Sequence, residues 1–150
     1  MRIIGCDLHT RQQTIAMLNT DTGEVIEKTL KHDGDGVRKF YSTLPCPVRV
    51  GVEATGSMYW FLNLMEELGI ECLVGHPAKI RAAETRKQKT DHRDATLLLK
   101  LVAENRFPTI WMPSLEQRVN PIRSNHFRMS QSNHYWWEGD FVTTIRDCPL

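Results

Sequence analysis

Four carboxylates, Asp7, Glu53, Asp91 and Asp94, stand where a metal-dependent site would need them. Asp7 ends the apolar run RIIGCDL and Glu53 falls at the end of VRVGVEA, each two residues after a glycine, Gly5 and Gly51. Residues two apart in a strand share a face, so each glycine leaves space beside its carboxylate. Asp91 and Asp94 are three apart at the start of a helical pattern, which puts both on one side of its first turn. A cluster of this kind offers only oxygen ligands and suits Mg²⁺ or Mn²⁺, hard cations that keep several waters. Two such ions can activate an attacking oxygen and stabilise a leaving oxygen in phosphoryl transfer. Each carboxylate has an ordinary explanation when taken alone. Asp91 alone reads more readily as a helix cap than as a ligand, Asp94 as a complement to the helix dipole, and Asp7 or Glu53 as a strand-end residue. The four together, in their order along the chain, favour a site.

Beside the acidic pair lies a basic stretch, Lys79, Arg81, Arg86, Lys87, Lys89 and Arg93, with only Glu84 and Asp91 interleaved. Charge alone would allow a solvated face. A phosphodiester substrate needs such a positive approach, because phosphate contacts supply most non-specific affinity for nucleic acid. The six histidines show no metal-ligand spacing, although His92 falls inside the acidic motif. The stripe Met58, Trp60, Phe61, Leu64, Met65 and Leu68 reads as helix core, and no glycine-rich phosphate loop is present.

These residues need elements to hold them. Residues 2–8 read as a central strand buried on both faces. QQTIAMLN (12–19) and VIEKTLKH (25–32) follow, separated by a turn over residues 20–24, and the three strands predict an antiparallel meander. A helix is expected over 36–44, ended by Pro45 and Pro47. A buried strand follows at 48–54, then a helix over 57–69 with Ser57 as N-cap and Gly69 as its stop, and a fifth strand at 71–75. The last helix is expected over 93–105. This order predicts an α/β fold of the ribonuclease-H-like kind, a mixed five-stranded sheet flanked by helices, and is compatible with some other α/β folds. The expected domain is 1–113. Residues 114–150 lack sustained periodicity and read as a divergent, poorly ordered tail.

The chain has 150 residues, room for one ordinary domain, with 41% hydrophobic and 25% charged residues. Lys plus Arg number 19 and Asp plus Glu 18, so net charge points to no partner until the charges are located. The four cysteines lie far apart, and three read as buried thiols in a reducing cytoplasm. The N-terminal apolar run is too short, and too soon interrupted by Asp7, for a signal peptide or a membrane span.

The segments IIGCDLHTRQQTIAML, GVEATGSMYWFLNLMEELGIECLVGHPAKIRA and RKQKTDHRDATLLLKLVAENR together resemble the N-terminal domain of the DEDD transposases of the insertion sequence one-ten family. The motifs strand-Asp, V-E-A-T-G and K-T-D-x-x-D-A occur in the order and spacing of that family, and the resemblance covers about residues 1–118. It implies a fold like that of RuvC resolvase, a divalent-metal site at Asp7, Glu53, Asp91 and Asp94, and recombination of insertion-sequence DNA, in relatives guided by a structured RNA. It also implies self-association or association with a full-length transposase. In the family a long helical segment and a serine-bearing domain follow; here the pattern stops at Val119, so a fragment inactive for transposition by itself is expected. Two other readings compete. One is a non-catalytic nucleic-acid-binding remnant. The other is an actin-like or sugar-kinase-like ATP-binding domain, disfavoured because the turn His9-Thr10-Arg11 has no glycine.

Overall fold

A computed structural model describes residues 1–83 and 91–113, of which Met1–Ile110 belong to one compact unit. Five strands form a mixed sheet in the order β3-β2-β1-β4-β5. β1 (Arg2–Leu8), β2 (Gln12–Asn19) and β3 (Val25–Lys31) make the expected antiparallel meander, and β4 (Val48–Glu53) pairs parallel with β1 on one side and with β5 (Glu71–Gly75) on the other. This is the ribonuclease-H-like arrangement. β1 sits at its centre, and Ile3, Ile4, Cys6 and Leu8 are buried there. β3 lies at the edge, where only Leu30 is buried, and its Glu and Lys residues solvate that edge.

Helices cover both faces. On one, the side of Cys6, Ile15, Val50 and Val52, α1 (Gly36–Ser42) and α2 (Tyr59–Glu67) meet through Tyr41 and Phe61, whose rings pack edge to face at 5.5 Å. Buried Gln13 donates from Nε2 to Tyr41 Oη at 3.0 Å, while its own Oε1 has no partner. α2 is shorter than expected: its N-cap is Met58, without a side-chain cap bond, so Ser57 does not cap it. Gly69 (φ +66°) stops it as expected, with Ile70 N–H donating to Met65 O and Gly69 N–H to Glu66 O.

On the other face lies α4 (Asp91–Ala103), which packs Ala95, Leu99 and Val102 against Ile3 and Ala16. Its approach depends on two glycines. A Cβ at Gly5 would stand 2.2 Å from the Ala95 carbonyl oxygen and 2.2 Å from the Leu99 nitrogen, both backbone atoms of α4. At Gly51 a Cβ would meet Val102 Cγ2 at 2.4 Å and the Phe107 ring at 3.0 Å. The glycine two residues before each strand-end carboxylate therefore seats the helix that carries the other two. Asn105, at φ 53°, ends α4 with the same bond pattern as Gly69, and the chain returns along β5, where Ile110 N–H donates to Val74 O.

The basic stretch that begins at Lys79 carries no helical period in the sequence, yet its first residues lie in a helix, α3 (Pro77–Ala83). Only Ile80 of its seven residues is buried, against Leu98 and Leu101 of α4, so no apolar period marks it. Pro77 at its first position is pre-set for a helix start. Among the described cysteines only Cys6 is buried; Cys72 is partly covered, and Cys46 is exposed and disulfide-bonded, which corrects the expectation of three buried thiols. The expected tail, 114–150, lies outside the described residues.

Candidate metal and nucleic-acid site

The register of β1 on β4 pairs Gly5 with Gly51 and Cys6 with Val52. One residue further, Asp7 and Glu53 stand side by side at the carboxyl ends of two parallel central strands, with backbones about 4.8 Å apart. Ligand-binding groups gather at this edge in open α/β sheets. Sharing a face with Gly5 and Gly51, both carboxylates lie on the side that α4 covers.

Each carboxylate is mostly covered and has a basic partner. Asp7, with 13% of its side chain exposed, accepts a hydrogen bond through Oδ2 from His9 Nε2 at 3.0 Å. His9 follows β1 in the turn to β2, its backbone N–H donating to Gln12 O. Glu53, 25% exposed, pairs through Oε1 with Arg81 Nη1 at 3.6 Å. Arg81 reaches it from α3, which starts directly after β5 and whose Ile80 anchors it to α4. Sequence reasoning missed His9 as a contact of the site. The only signal for it was its position two residues beyond Asp7, where a tight turn folds the chain back.

Asp94 lies in the first turn of α4 and is partly buried, one turn before Leu98, on the side of the helix that meets α3 through Leu98 and Leu101. Asp91 is the first residue of α4, and its side chain lies outside the described residues. Among the described residues no three His, Cys, Asp or Glu side chains come close enough to share an ion. The strand register thus sets Asp7 beside Glu53, and among the described residues no third such side chain, Asp94 included, completes a group with them. The donor chemistry fits a hard divalent cation: two strand-end carboxylates, both mostly withdrawn from water and both already turned to a basic group.

Of the basic residues, Lys79, Arg81 and Arg93 are exposed, and Arg81 reaches Glu53. Arg86, Lys87 and Lys89 lie outside the described residues. Directly behind Asp7, burial pushes the Cys6 thiol well above its usual range, with Cys72 and Asp7 adding to the effect and a hydrogen bond from Tyr41 opposing it. Cys6 is therefore a neutral wall of the core rather than a nucleophile.

A mixed sheet with the 3-2-1-4-5 strand order, carrying carboxylates at the ends of its first and fourth strands and a further pair in its last helix, defines a RuvC-like α/β domain. The chain belongs to the IS110 family of DEDD transposases, whose family model, described as "Transposase", matches residues 4–123. It is also similar to the transposase for insertion sequence element IS1533 of Leptospira borgpetersenii, 31% identical over 103 residues. That match takes in 66% of this chain and 30% of the relative, so the chain spans less than a third of that protein's length. Membership sets the ATP-binding alternative aside. Among the described residues no helix is long and apolar enough to cross a membrane.

Proposed function

We propose that this chain supplies the metal-binding, DNA-processing domain of an insertion-sequence transposase, with Asp7, Glu53, Asp91 and Asp94 holding Mg²⁺ or Mn²⁺. The observation that carries the proposal is the in-register placement of Asp7 and Glu53 at the ends of adjacent parallel strands, under the helix that begins with Asp91. When bound, such ions stabilise charge on the attacking and leaving oxygens of a phosphodiester. The protein's own part is to fix the carboxylates on rigid strands, to keep water from their inner side with α4, and to offer cations for the DNA backbone. Lys79, Arg81, Arg86, Lys87, Lys89 and Arg93 are proposed for that last role. A structured guide RNA, self-association and association with a full-length transposase belong to the same proposal, as does a cytoplasmic site of action.

The test is Mn²⁺ binding and Mn²⁺-dependent cleavage of element-end DNA by the transposase that contains this domain. Both are expected to be lost in Asp7→Ala and Glu53→Gln. Undiminished metal binding in both variants would overturn the assignment, and DNA binding without any metal binding would favour the non-catalytic remnant.

A further inference from the structure

The Arg81–Glu53 pair has two properties that do not belong together in a purely structural salt bridge. Its acid sits at the strand end where a cation is expected, and its base stands on a short helix with 60% of its side chain exposed. A pair at 3.6 Å with one partner this solvated contributes little to folding. It is, however, well placed to compete for the carboxylate. A divalent ion at Glu53 replaces one positive charge with two, and the displaced guanidinium then stands at the rim of the same site with five donors unspent. Phosphate is the ligand that its planar fork matches best.

We infer that Arg81 is a switch between metal and DNA: without metal it neutralises Glu53, and on metal binding it is released to the backbone of a DNA strand entering the site. This rests on the metal-site reading above. Metal and DNA then help each other to bind through Arg81, and by linkage the factor by which Mn²⁺ tightens DNA equals the factor by which DNA tightens Mn²⁺. His9 on Asp7 is a second basic partner of the carboxylates, but it lies in the turn between two strands and not on the helix that carries Lys79 and Arg81.

The experiment measures Mn²⁺ affinity by the electron paramagnetic resonance of free Mn²⁺. It measures DNA affinity by fluorescence anisotropy on a labelled duplex of about 30 base pairs, at one fixed low salt concentration because salt alone changes DNA affinity steeply. Without DNA, Arg81→Gln is expected to bind Mn²⁺ about two- to fivefold tighter than wild type, the span that an exposed pair of this kind sets, and Arg81→Lys within about twofold. Glu53→Gln frees Arg81 without metal, so its metal-free DNA affinity should rise. That rise should largely disappear in the double variant Glu53→Gln with Arg81→Gln, which separates release of Arg81 from simple removal of a negative charge. Equal Mn²⁺ affinity in wild type and Arg81→Gln, or an equal gain from Glu53→Gln with and without Arg81, would overturn the switch. Absence of Mn²⁺ binding in the wild type would overturn both the metal-site reading and the switch, whereas Mn²⁺ binding that is lost in Asp7→Asn yet unaffected by Arg81 would overturn the switch alone.

Discussion

Replacing Gly5 by alanine tests the link between sheet packing and the site. The added Cβ would lie 2.2 Å from two backbone atoms of α4, the Ala95 oxygen and the Leu99 nitrogen, where ordinary contact begins at 3.4 Å. Neither atom can rotate away, so α4 must withdraw by about 1.2 Å or the strand must buckle. Overpacking of this kind costs about 1–3 kcal/mol, and backbone contacts put it at the upper end. Alanine recovers about 0.4–1 kcal/mol through a less flexible unfolded chain, leaving a net loss of about 2 kcal/mol. For the 110-residue unit Met1–Ile110 that corresponds to a fall in melting temperature of about 9 °C, read by circular dichroism. Gly51→Ala provides the comparison: its Cβ meets only side-chain atoms, Val102 Cγ2 and the Phe107 ring, and no backbone, so a smaller loss than in Gly5→Ala is expected. Because α4 begins with Asp91 and carries Asp94, its withdrawal should also weaken Mn²⁺ binding in Gly5→Ala, since a site tolerates only about half an ångström of misplacement. A Gly5→Ala protein melting within about 2 °C of wild type, or a larger loss in Gly51→Ala, would refute the reasoning.

Other expectations rest on the opposite face and on the charges. Tyr41→Phe strands the amide of Gln13, whose other end is already without a partner, and should cost about 1–3 kcal/mol in urea unfolding. Burial raises the folded pKa of the Cys6 thiol above the ordinary 9.0, so above about pH 9 the native protein keeps a proton that the unfolded chain has lost. The contribution of Cys6 to stability is then full below pH 9 and falls by about 1.4 kcal/mol per pH unit as pH rises; Cys6→Ala should reduce the measured slope by that amount and leave the share of Cys72, whose thiol burial pushes up to about 12. The same burial should leave Cys6 unmodified by iodoacetamide at pH 8 until the protein unfolds; rapid labelling of the native state would contradict it. Lys87→Gln with Lys89→Gln should weaken binding to all duplex sequences alike and flatten the salt dependence by about 0.9 for each lost phosphate contact, and an unchanged slope would count against a backbone role.

What the sequence disclosed followed how local each cause is. The bounds of β1, β2 and β5 were legible because continuous apolar runs are broken by a carboxylate, an asparagine or His76-Pro77, and the parallel pairing of β1 with β4 followed from the element order. Asp7 and Glu53 could be placed together because that pairing fixes their register. α3 escaped because one buried residue in seven gives no period, and Ser57 failed as a cap because the chain enters α2 a residue later, at Met58. The partners of the carboxylates were illegible for a different reason. His9 reaches Asp7 through a hairpin turn, and Arg81 reaches Glu53 because Ile80 seats α3 on α4, contacts set by tertiary packing rather than by spacing. Phe107, which fills the space under Gly51 and Gly75, likewise gave no signal, since it lies after the last helix in a segment without regular pattern.

The central claim is that the paired strand-end carboxylates hold a divalent metal, and the most direct measurement is the binding isotherm of Mn²⁺ to the folded protein and its Asp7→Ala variant, with melting temperature followed alongside. Like charges held close repel, so bound metal should raise the melting temperature of the wild type. Saturable binding and this thermal shift are expected in wild type, and both should be lost in Asp7→Ala with the fold intact by circular dichroism. Equal binding by wild type and Asp7→Ala, or no binding by a folded wild type at millimolar Mn²⁺, would contradict it.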